Sequence, residues 1–275
     1  GGNFSEANGV SFDGSVIVGS SDTASGEEAF YWTETDGMQG LGHLSGGGLF
    51  STAFGVSADG SVVVGQSDNT SGLEAFRWTE QDGMQGLGSL PGGGSESIAE
   101  GISANGKFIV GGAQSANSGS DFEAFLWSEE TGKMLGLGDL PGGTFFSQAN
   151  AISTDGSIVV GNSNIGLPEI PGEPLFSNAA FIWDEVNGMR NLQEVLENEL
   201  GLDFMGITLH SATDVSIEGS RISIAGWGTV PSVTAAGGNE RAVAILTVPE
   251  PSSIFSLITV GLLGTVLGIK RKINA

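Results

Sequence analysis

The chain repeats at intervals of 46 to 50 residues, and this period limits the folds that it can adopt. One copy reads Gly-Val-Ser-Ala-Asp-Gly-Ser-Val-Val-Val-Gly over 55–65, Glu-Ala-Phe-Arg-Trp-Thr over 74–79 and Gly-Met-Gln-Gly-Leu-Gly-Ser-Leu-Pro-Gly-Gly over 83–93. The residue before the first turn glycine recurs in four clear copies, as Asp13, Asp59, Asn105 and Asp155. A unit of this size cannot bury its apolar face alone, so neighbouring copies must stack against one another.

Each copy contains four short strand candidates separated by turn signals. The first two flank Asp-Gly or Asn-Gly, the pair that most readily forms a tight hairpin because both residues tolerate positive φ. In the third, strand alternation places Phe76 and Trp78 on one face. Four antiparallel strands in about 40 to 50 residues are typical of a propeller blade. We therefore predict an all-β fold, a β-propeller over 1–247, with four clear four-stranded blades and a fifth, degenerate blade that includes 212–216 and 242–246.

Two segments interrupt the repeats. Between 191 and 201 one helical face carries only apolar residues, namely Leu192, Val195, Leu196 and Leu200. Asn191 is a good N-cap and Gly201 a good terminator, so we predict one short amphipathic helix that covers an end of the propeller. The loop at 164–174 contains three prolines, and we interpret it as a neutral insertion in preference to a recognition loop.

The segment 248–275 differs in composition from the repeats. Val248-Pro249-Glu250-Pro251 precedes an uncharged apolar run from 253 to 269, which ends at Lys270-Arg271-Lys272. Seventeen residues at about 1.5 Å each reach the lower limit for a helix that crosses a bilayer core. The prolines keep the preceding motif extended, and the basic residues would stay cytoplasmic. We predict a transmembrane helix at 253–269 within a separate C-terminal segment.

The two parts of the chain resemble two known sequence families. Asp-Gly-Ser-x-Val-Val-Gly, Ala-Phe-x-Trp and Leu-Gly-x-Leu-Pro-Gly-Gly resemble the HAF repeats of probable extracellular proteins, over nearly all of the chain. The C-terminal segment resembles the PEP-CTERM sorting signal, which an exosortase recognises. The resemblance implies that the sorting motif is Val248, Pro249, Glu250 and Pro251, and that the membrane orientation signal is Lys270, Arg271 and Lys272.

The chain departs from the HAF family at the residue that gives the family its name. The His-Ala-Phe tripeptide is replaced by Glu-Ala-Phe at 28–30, 74–76 and 123–125, and by Ala-Ala-Phe at 179–181. The repeat pattern around it is intact, so the expected fold is unaffected. No role of the family histidine can be carried over.

Charge and composition exclude several function classes. The chain has 32 acidic and nine basic residues and a net charge of −23, so nucleic acid is not an expected partner. It has no cysteine, which excludes disulfides, thiolate catalysis and cysteine metal sites. Gly1-Gly2 aligns with the Gly-Gly that closes later repeats, so we expect the numbering to begin in the middle of a repeat, inside a longer precursor.

No catalytic constellation is visible, and we predict no catalytic or metal-binding residues. His43 takes the place of Ser89 and Asp139 in sister copies, and His210 stands alone, so we interpret both as ordinary surface or hydrogen-bonded histidines. Carboxylates are the abundant reactive group, and a pair about 5 to 10 Å apart suffices for a glycosidase. The recurrence of Asp13 and its equivalents is explained by the turn alone.

Glutamate and tryptophan side chains also recur with the repeat. We interpret the glutamates before the third strand as a solvated charged edge that discourages pairing with other molecules; they are Glu27, Glu28, Glu74 and Glu123. Calcium is the one cofactor that such a rim would suit. We interpret one tryptophan per copy as core packing between blades and not as a platform for sugar: Trp32, Trp78, Trp127 and Trp183. Trp227 lies outside this register, and the sequence assigns it no role.

These patterns favour an exported protein of the cell envelope or extracellular matrix that serves as a structural or binding module and is not an enzyme. The resemblance implies an inner-membrane-tethered precursor, processing by an exosortase, and then a cell-surface or extracellular location. Extracellular polysaccharide is the candidate ligand. One alternative is a propeller enzyme that acts on such a polysaccharide through carboxylates, and another is a calcium-dependent adhesin.

Overall fold

The computed structural model describes residues 3–166, 178–204, 206–219 and 221–230, and after these the strands at 240–249, 260–263 and 270–271. Strands dominate, and they form five four-stranded antiparallel sheets, each built from consecutive strands. We call these sheets blades 1 to 5. The predicted all-β fold with four-stranded blades and one helix is confirmed for these residues.

Two compact units divide the chain. The first unit comprises 1–138 with 154–156 and contains blades 1 to 3. Blade 1 consists of β1 (Ser5–Val10), β2 (Val16–Asp22), β3 (Glu27–Thr33) and β4 (Gly37–Gly40). Blade 2 consists of β5 (Ser51–Val56), β6 (Val62–Asn69), β7 (Gly72–Thr79) and β8 (Gly83–Gly86). Blade 3 consists of β9 (Ser97–Ile102), β10 (Phe108–Ala113), β11 (Glu123–Ser128) and β12 (Lys133–Gly136).

The second unit comprises 139–153 and 157–275 and contains the remaining elements. Blade 4 consists of β13 (Ser147–Ile152), β14 (Val159–Asn164), β15 (Asn178–Asp184) and β16 (Gly188–Asn191). The helix α1 (Leu192–Leu200) and the short strand β17 (Leu202–Asp203) follow. Blade 5 consists of β18 (Thr208–Glu218), β19 (Arg221–Val230), β20 (Glu240–Pro249) and β21 (Val260–Leu263). A last strand, β22 (Lys270–Arg271), pairs with β17.

A bulge in the first strand explains the glycine of the Val-Val-Val-Gly motif. In blade 2 the register slips between Ala53 and Gly55, so the carbonyl of Thr52 comes close to Gly65 in β6. A Cβ on Gly65 would lie 2.0 Å from that oxygen and 2.9 Å from the ring of Phe76, which is paired with Gly65 across β6 and β7. The same register shift recurs in the first strands of blades 1, 3 and 4. The motif therefore needs glycine because the partner backbone occupies the space of a side chain.

The core of the first unit lies between successive blades. One cluster joins blades 1 and 2 and consists of Val16, Val18, Ala29, Leu41, Leu44, Ala53, Val63 and Phe76. A second cluster joins blades 2 and 3 and consists of Val64, Ala75, Leu90, Ala99, Ile109, Ala113, Phe125 and Trp127. Within this unit, blade 1 packs against blade 2 and blade 2 against blade 3, which is the stacking that the repeat predicts.

The helix α1 follows its sequence signals closely. The side chain of Asn191 accepts hydrogen bonds from the backbone of Gln193 and Glu194, and Gly201 ends the helix with a φ of 64°. Leu192 and Leu196 are each 2% exposed and pack with β15 and β18, within the second unit. The predicted helix and both of its caps are confirmed.

The predicted transmembrane segment lies mostly outside the described residues. Four of its residues, Val260–Leu263, are described, and they form β21, which pairs with β20. In the described parts of the chain we find no helix with the length and apolar character needed to cross a membrane. The boundary predicted after residue 247 falls inside β20, which continues to Pro249.

Candidate functional site

The turn between the first two strands of a blade uses its aspartate structurally. In blade 2, Asp59 Oδ1 accepts hydrogen bonds from Ser57 Oγ at 2.7 Å and from Ser61 N at 3.1 Å. Ser57 Oγ in turn accepts from Val62 N at 3.0 Å. The hydrogen bonds from Ser57 and Ser61 lower the pKa of Asp59. The carboxylate closes the hairpin, so the interpretation of these residues as turn formers is confirmed.

Blade 1 repeats this arrangement. Ser15 and Ser11 donate hydrogen bonds to Asp13 and lower the pKa of its carboxyl to about 2. In blade 3 the side-chain oxygen of Asn105 accepts from Ser103 Oγ at 2.7 Å, so an amide serves equally well. Because an uncharged amide makes the same hydrogen bond, the aspartates at this position close the turn and their charge is not required for it.

The glutamates of the Glu-Ala-Phe motif also have a structural role. Glu74 Oε1 accepts a hydrogen bond from the backbone N–H of Gly88 at 2.8 Å. The same bond joins Glu28 to Gly42 at 2.9 Å and Glu123 to Gly138 at 3.1 Å. All three glycines have a φ near +80° and belong to the Leu-Gly-x-Leu motif.

The prediction of a solvated charged edge is therefore wrong for Glu28, Glu74 and Glu123. Glu123 is 7% exposed and the other two are half-buried. Each carboxylate lies against its own fourth strand, whose glycine leaves room for it; a Cβ on Gly86 would be 2.3 Å from Glu74 Oε1. In the fourth copy, Ala179 replaces the glutamate. The turn glycine is also replaced, because the fourth strand of that copy leads directly into α1 and Leu192 is followed by Gln193.

Serines at the start of the next blade hold the opposite side of the same glycine turn. Ser97 Oγ accepts from Ala75 N at 3.0 Å and donates to the carbonyl of Gly88 at 2.7 Å. Ser51 does the same with Ala29 N at 2.9 Å and the carbonyl of Gly42 at 2.8 Å. We call the glutamate, the glycine and this serine the blade lock. This serine was not among the predicted site residues, although it recurs with the repeat.

We expect Glu74→Ala to lower the free energy of unfolding by about 1.5 to 3 kcal/mol, because it leaves the Gly88 N–H without its charged acceptor. Urea unfolding followed by tryptophan fluorescence measures the change. Glu80→Ala is the matched control, since Glu80 is exposed, and it should stay within about 0.5 kcal/mol of the unaltered protein. Equal stabilities of the two variants would contradict a structural role for Glu74.

The two histidines lie in different surroundings. His210 is 5% exposed, and its ring nitrogens Nδ1 and Nε2 lie 2.9 Å from the carbonyl of Asn178 and from Thr229 Oγ1, respectively. The interpretation of His210 as a hydrogen-bonded histidine is confirmed. His43 is half-buried, and its Nε2 has no hydrogen-bond partner among the described residues. Trp227, which the sequence left unassigned, packs against His210 with 5.4 Å between ring centroids.

The recurring tryptophans are packing residues where the contacts are described. Trp127 is 8% exposed and belongs to the cluster between blades 2 and 3. Trp78 packs against the cluster between blades 1 and 2 and lies 5.7 Å from the ring of Tyr31. Trp183 is 8% exposed, and Trp32 is half-buried. The prediction of packing between blades is confirmed for Trp78 and Trp127.

A groove of 470 Å³ lies beside the helix in the second unit. It is lined by Leu140, Pro141, Ile165, Met189, Arg190, Asn191, Glu194, Val195, Asn198 and Glu199. Arg190 pairs with Asp184 and with Glu199, each at 2.9 Å. Burial raises the pKa of Asp184, but hydrogen bonds from Asn187 and the charge of Arg190 outweigh it, and the net pKa is lowered. The two terminal nitrogens of the guanidinium are therefore engaged by carboxylates, whereas its Nε has no hydrogen-bond partner among the described residues.

The sorting residues are only partly described. Val248 and Pro249 end β20 and pair with Ile222 and Arg221 of β19. Lys270 and Arg271 form β22, opposite Asp203 and Leu202. Glu250, Pro251 and Lys272 lie outside the described residues, as does most of the loop at 164–174. Across the described ranges, no group of three or more histidine or carboxylate side chains is placed to hold a metal ion.

Solved structures with similar folds identify the architecture. A putative TolB from Agrobacterium tumefaciens matches with a TM-score of 0.54 and 12% identity, over 98% of this chain and 83% of that one. TolB from Acinetobacter baumannii matches with a TM-score of 0.50 and 13% identity, over 88% of this chain and 53% of that one. An oligogalacturonate lyase from Vibrio parahaemolyticus matches with a TM-score of 0.51 and 12% identity, over 93% of this chain and 64% of that one. The fold is that of a β-propeller.

These likenesses concern the fold alone, because the identities are far below the level at which function is shared. The chain spans about half the length of the Acinetobacter baumannii TolB that it matches. No family model and no curated protein matches the sequence.

Proposed function

We propose that this chain is an exported cell-envelope or extracellular-matrix protein whose propeller serves as a structural or binding module. Its precursor is held in the inner membrane by the helix predicted at 253–269, and an exosortase processes it near Val248 to Pro251. Extracellular polysaccharide is the candidate ligand.

One observation carries the module part of this proposal. The acidic groups that recur with the repeat are engaged in the scaffold: Asp13 and Asp59 close hairpins, and Glu28, Glu74 and Glu123 bind glycine turns. A catalytic carboxylate pair would need groups that are free to meet a substrate. The repeat therefore supplies architecture, and binding falls to residues outside the repeat pattern, such as Glu194, Val195 and Asn198 of α1, which line the groove.

The export part depends on the composition of the tail. An acidic repeat region is followed by Pro-Glu-Pro, an uncharged apolar run and three consecutive basic residues. In this proposal the residues of β21 leave the edge of blade 5 to enter the bilayer, where a helix satisfies every backbone hydrogen bond within one segment. The basic residues then orient the helix with its end in the cytoplasm.

Replacing Pro249 and Glu250 together by alanine is expected to abolish maturation, because the exosortase would lose its recognition motif. The variant precursor, expressed in a host with an exosortase, should remain in the membrane fraction at its full mass, as judged by immunoblotting of cell fractions. The matched control replaces Pro141 and Glu185, a proline and an exposed glutamate far from the tail in sequence, and should mature normally. Normal maturation of the Pro249/Glu250 variant would rule out the sorting function.

The enzymatic alternative has a separate test. The purified mature protein is incubated with a panel of extracellular polysaccharides, and the release of shorter chains is followed by chromatography. Binding without release supports the module. Release that one carboxylate substitution abolishes would establish the enzyme instead.

A further inference from the structure

The first strand of blade 1 has the sequence of a buried strand but lies exposed. Ser5 and Ala7 occupy the positions of Ser51 and Ala53 in blade 2, as the register of the first two strands shows. Ser51 and Ala53 are both 0% exposed, whereas Ser5 and Ala7 are exposed. In blade 3, Ser97 and Ala99 are 1% and 0% exposed. The first strands of blades 2 and 3 are buried because the preceding blade packs on them.

The hydrogen-bonding groups of this strand are those of the blade lock. Ser51 and Ser97 each bridge an alanine N–H and a glycine carbonyl of the preceding blade. Ser5 Oγ forms no such bridge to any described residue. It therefore has the chemistry of a lock serine without the two main-chain partners that Ser51 and Ser97 have.

The first turn of blade 1 gives an independent sign of the same open face. The turn glycines of blades 2 and 3 face a valine of the preceding blade, since a Cβ on Gly60 would lie 2.5 Å from Val16 and one on Gly106 would lie 3.1 Å from Val62. A Cβ on Gly14 would meet no described atom within 4 Å. The backbone N–H of Phe12 donates to the carbonyl of Ala58, and that of Ala58 donates to the carbonyl of Ala104, so the first turns of blades 1, 2 and 3 are joined in succession.

From this comparison we propose that the exposed face of blade 1, formed by β1 and the turn at Gly14, is a docking surface for one further blade of the same repeat. The occupant must present an Ala-Phe strand whose alanine N–H reaches Ser5 Oγ, and a Leu-Gly turn whose carbonyl accepts from it. It must also present a branched apolar side chain over Gly14, as Val16 does over Gly60. These are the groups that blade 1 itself presents to blade 2, so the partner is defined by contacts within this chain.

The proposal is tested by adding such a blade. A second copy of residues 51–92 is joined directly before Gly1. The first serine of the added copy then precedes Ser5 by 46 residues, which is also the spacing between Ser51 and Ser97. We expect the melting temperature of the full chain to rise by about 5 °C or more. The β1 amides should also become protected from hydrogen exchange. An extension of equal length built from glycine and serine is the control. It should change neither the melting temperature nor the protection of the β1 amides.

The variant Ser5→Ala tests the lock itself. In the extended protein it should lower the melting temperature by about 2 to 4 °C, the shift expected for one lost hydrogen bond. In the original chain it should have no measurable effect, because Ser5 is exposed there. A second extension with residues 97–142, which keeps the 50-residue spacing of Ser97 and Ser147, repeats the experiment with blade 3.

Three results would overturn the proposal. The first is that neither extension stabilises the chain or protects β1. The second is that Ser5→Ala has the same effect with and without the added blade. The third is that the original chain forms a dimer by sedimentation equilibrium which Ser5→Arg dissociates, since the face would then be occupied by a second copy. None of these results would bear on the sorting or binding functions.

Discussion

Replacing Phe76 by alanine is expected to lower the free energy of unfolding by about 3 to 5 kcal/mol. Phe76 is 0% exposed and packs in the cluster between blades 1 and 2, with its ring against Gly65. The loss combines the transfer free energy of the ring with the cavity that remains between two rigid sheets. Chemical denaturation monitored by circular dichroism gives the value.

Phe12→Ala is the matched control for this variant. Phe12 is 93% exposed, so the same chemical change should alter the stability by no more than about 0.5 kcal/mol. A loss below about 1 kcal/mol in Phe76→Ala would mean that the interior between blades 1 and 2 is loosely packed. That result would contradict the buried cluster described above.

Gly65→Ala should be the next most damaging substitution, with a loss of about 3 kcal/mol or more. The new methyl group would be placed 2.0 Å from the carbonyl oxygen of Thr52 and 2.9 Å from the Phe76 ring. The oxygen belongs to a backbone held by the bulge, so the clash can be relieved only by separating β5 from β6. The melting temperature and the urea midpoint measure the loss.

Gly83→Ala separates this clash from the general cost of replacing glycine. Gly83 has a φ of +68° and open space around it, so only backbone strain of about 1 to 2 kcal/mol is expected. If Gly65→Ala proved no more harmful than Gly83→Ala, the close approach of the two strands would be refuted.

Elements that depend on local sequence could be predicted. The Asp-Gly hairpins, the alternation around Phe76 and Trp78, and the helix between Asn191 and Gly201 each involve residues a few positions apart. Their conformations follow from φ preferences, side-chain alternation and capping, which are properties of the segment itself.

The blade lock could not be predicted in this way. Ala75 and Ser97 are 22 residues apart, and their contact depends on how two blades pack. The charge of Glu74 suggested an exposed edge, but the carboxylate is held by a backbone amide that the sequence does not reveal. The helix at 253–269 stays a prediction, because Val260–Leu263 are its only described residues.

The blade lock also has a consequence for how such a chain can change in length. Its serine and glutamate bind main-chain groups of alanine and glycine, so these hydrogen bonds do not depend on the variable side chains of either neighbour. A duplicated blade 2 would meet its own copy through Glu74, Gly88 and Ser51, which form one complete set of lock residues. A gene that encodes this protein can therefore gain this unit by recombination within the repeats without new lock residues.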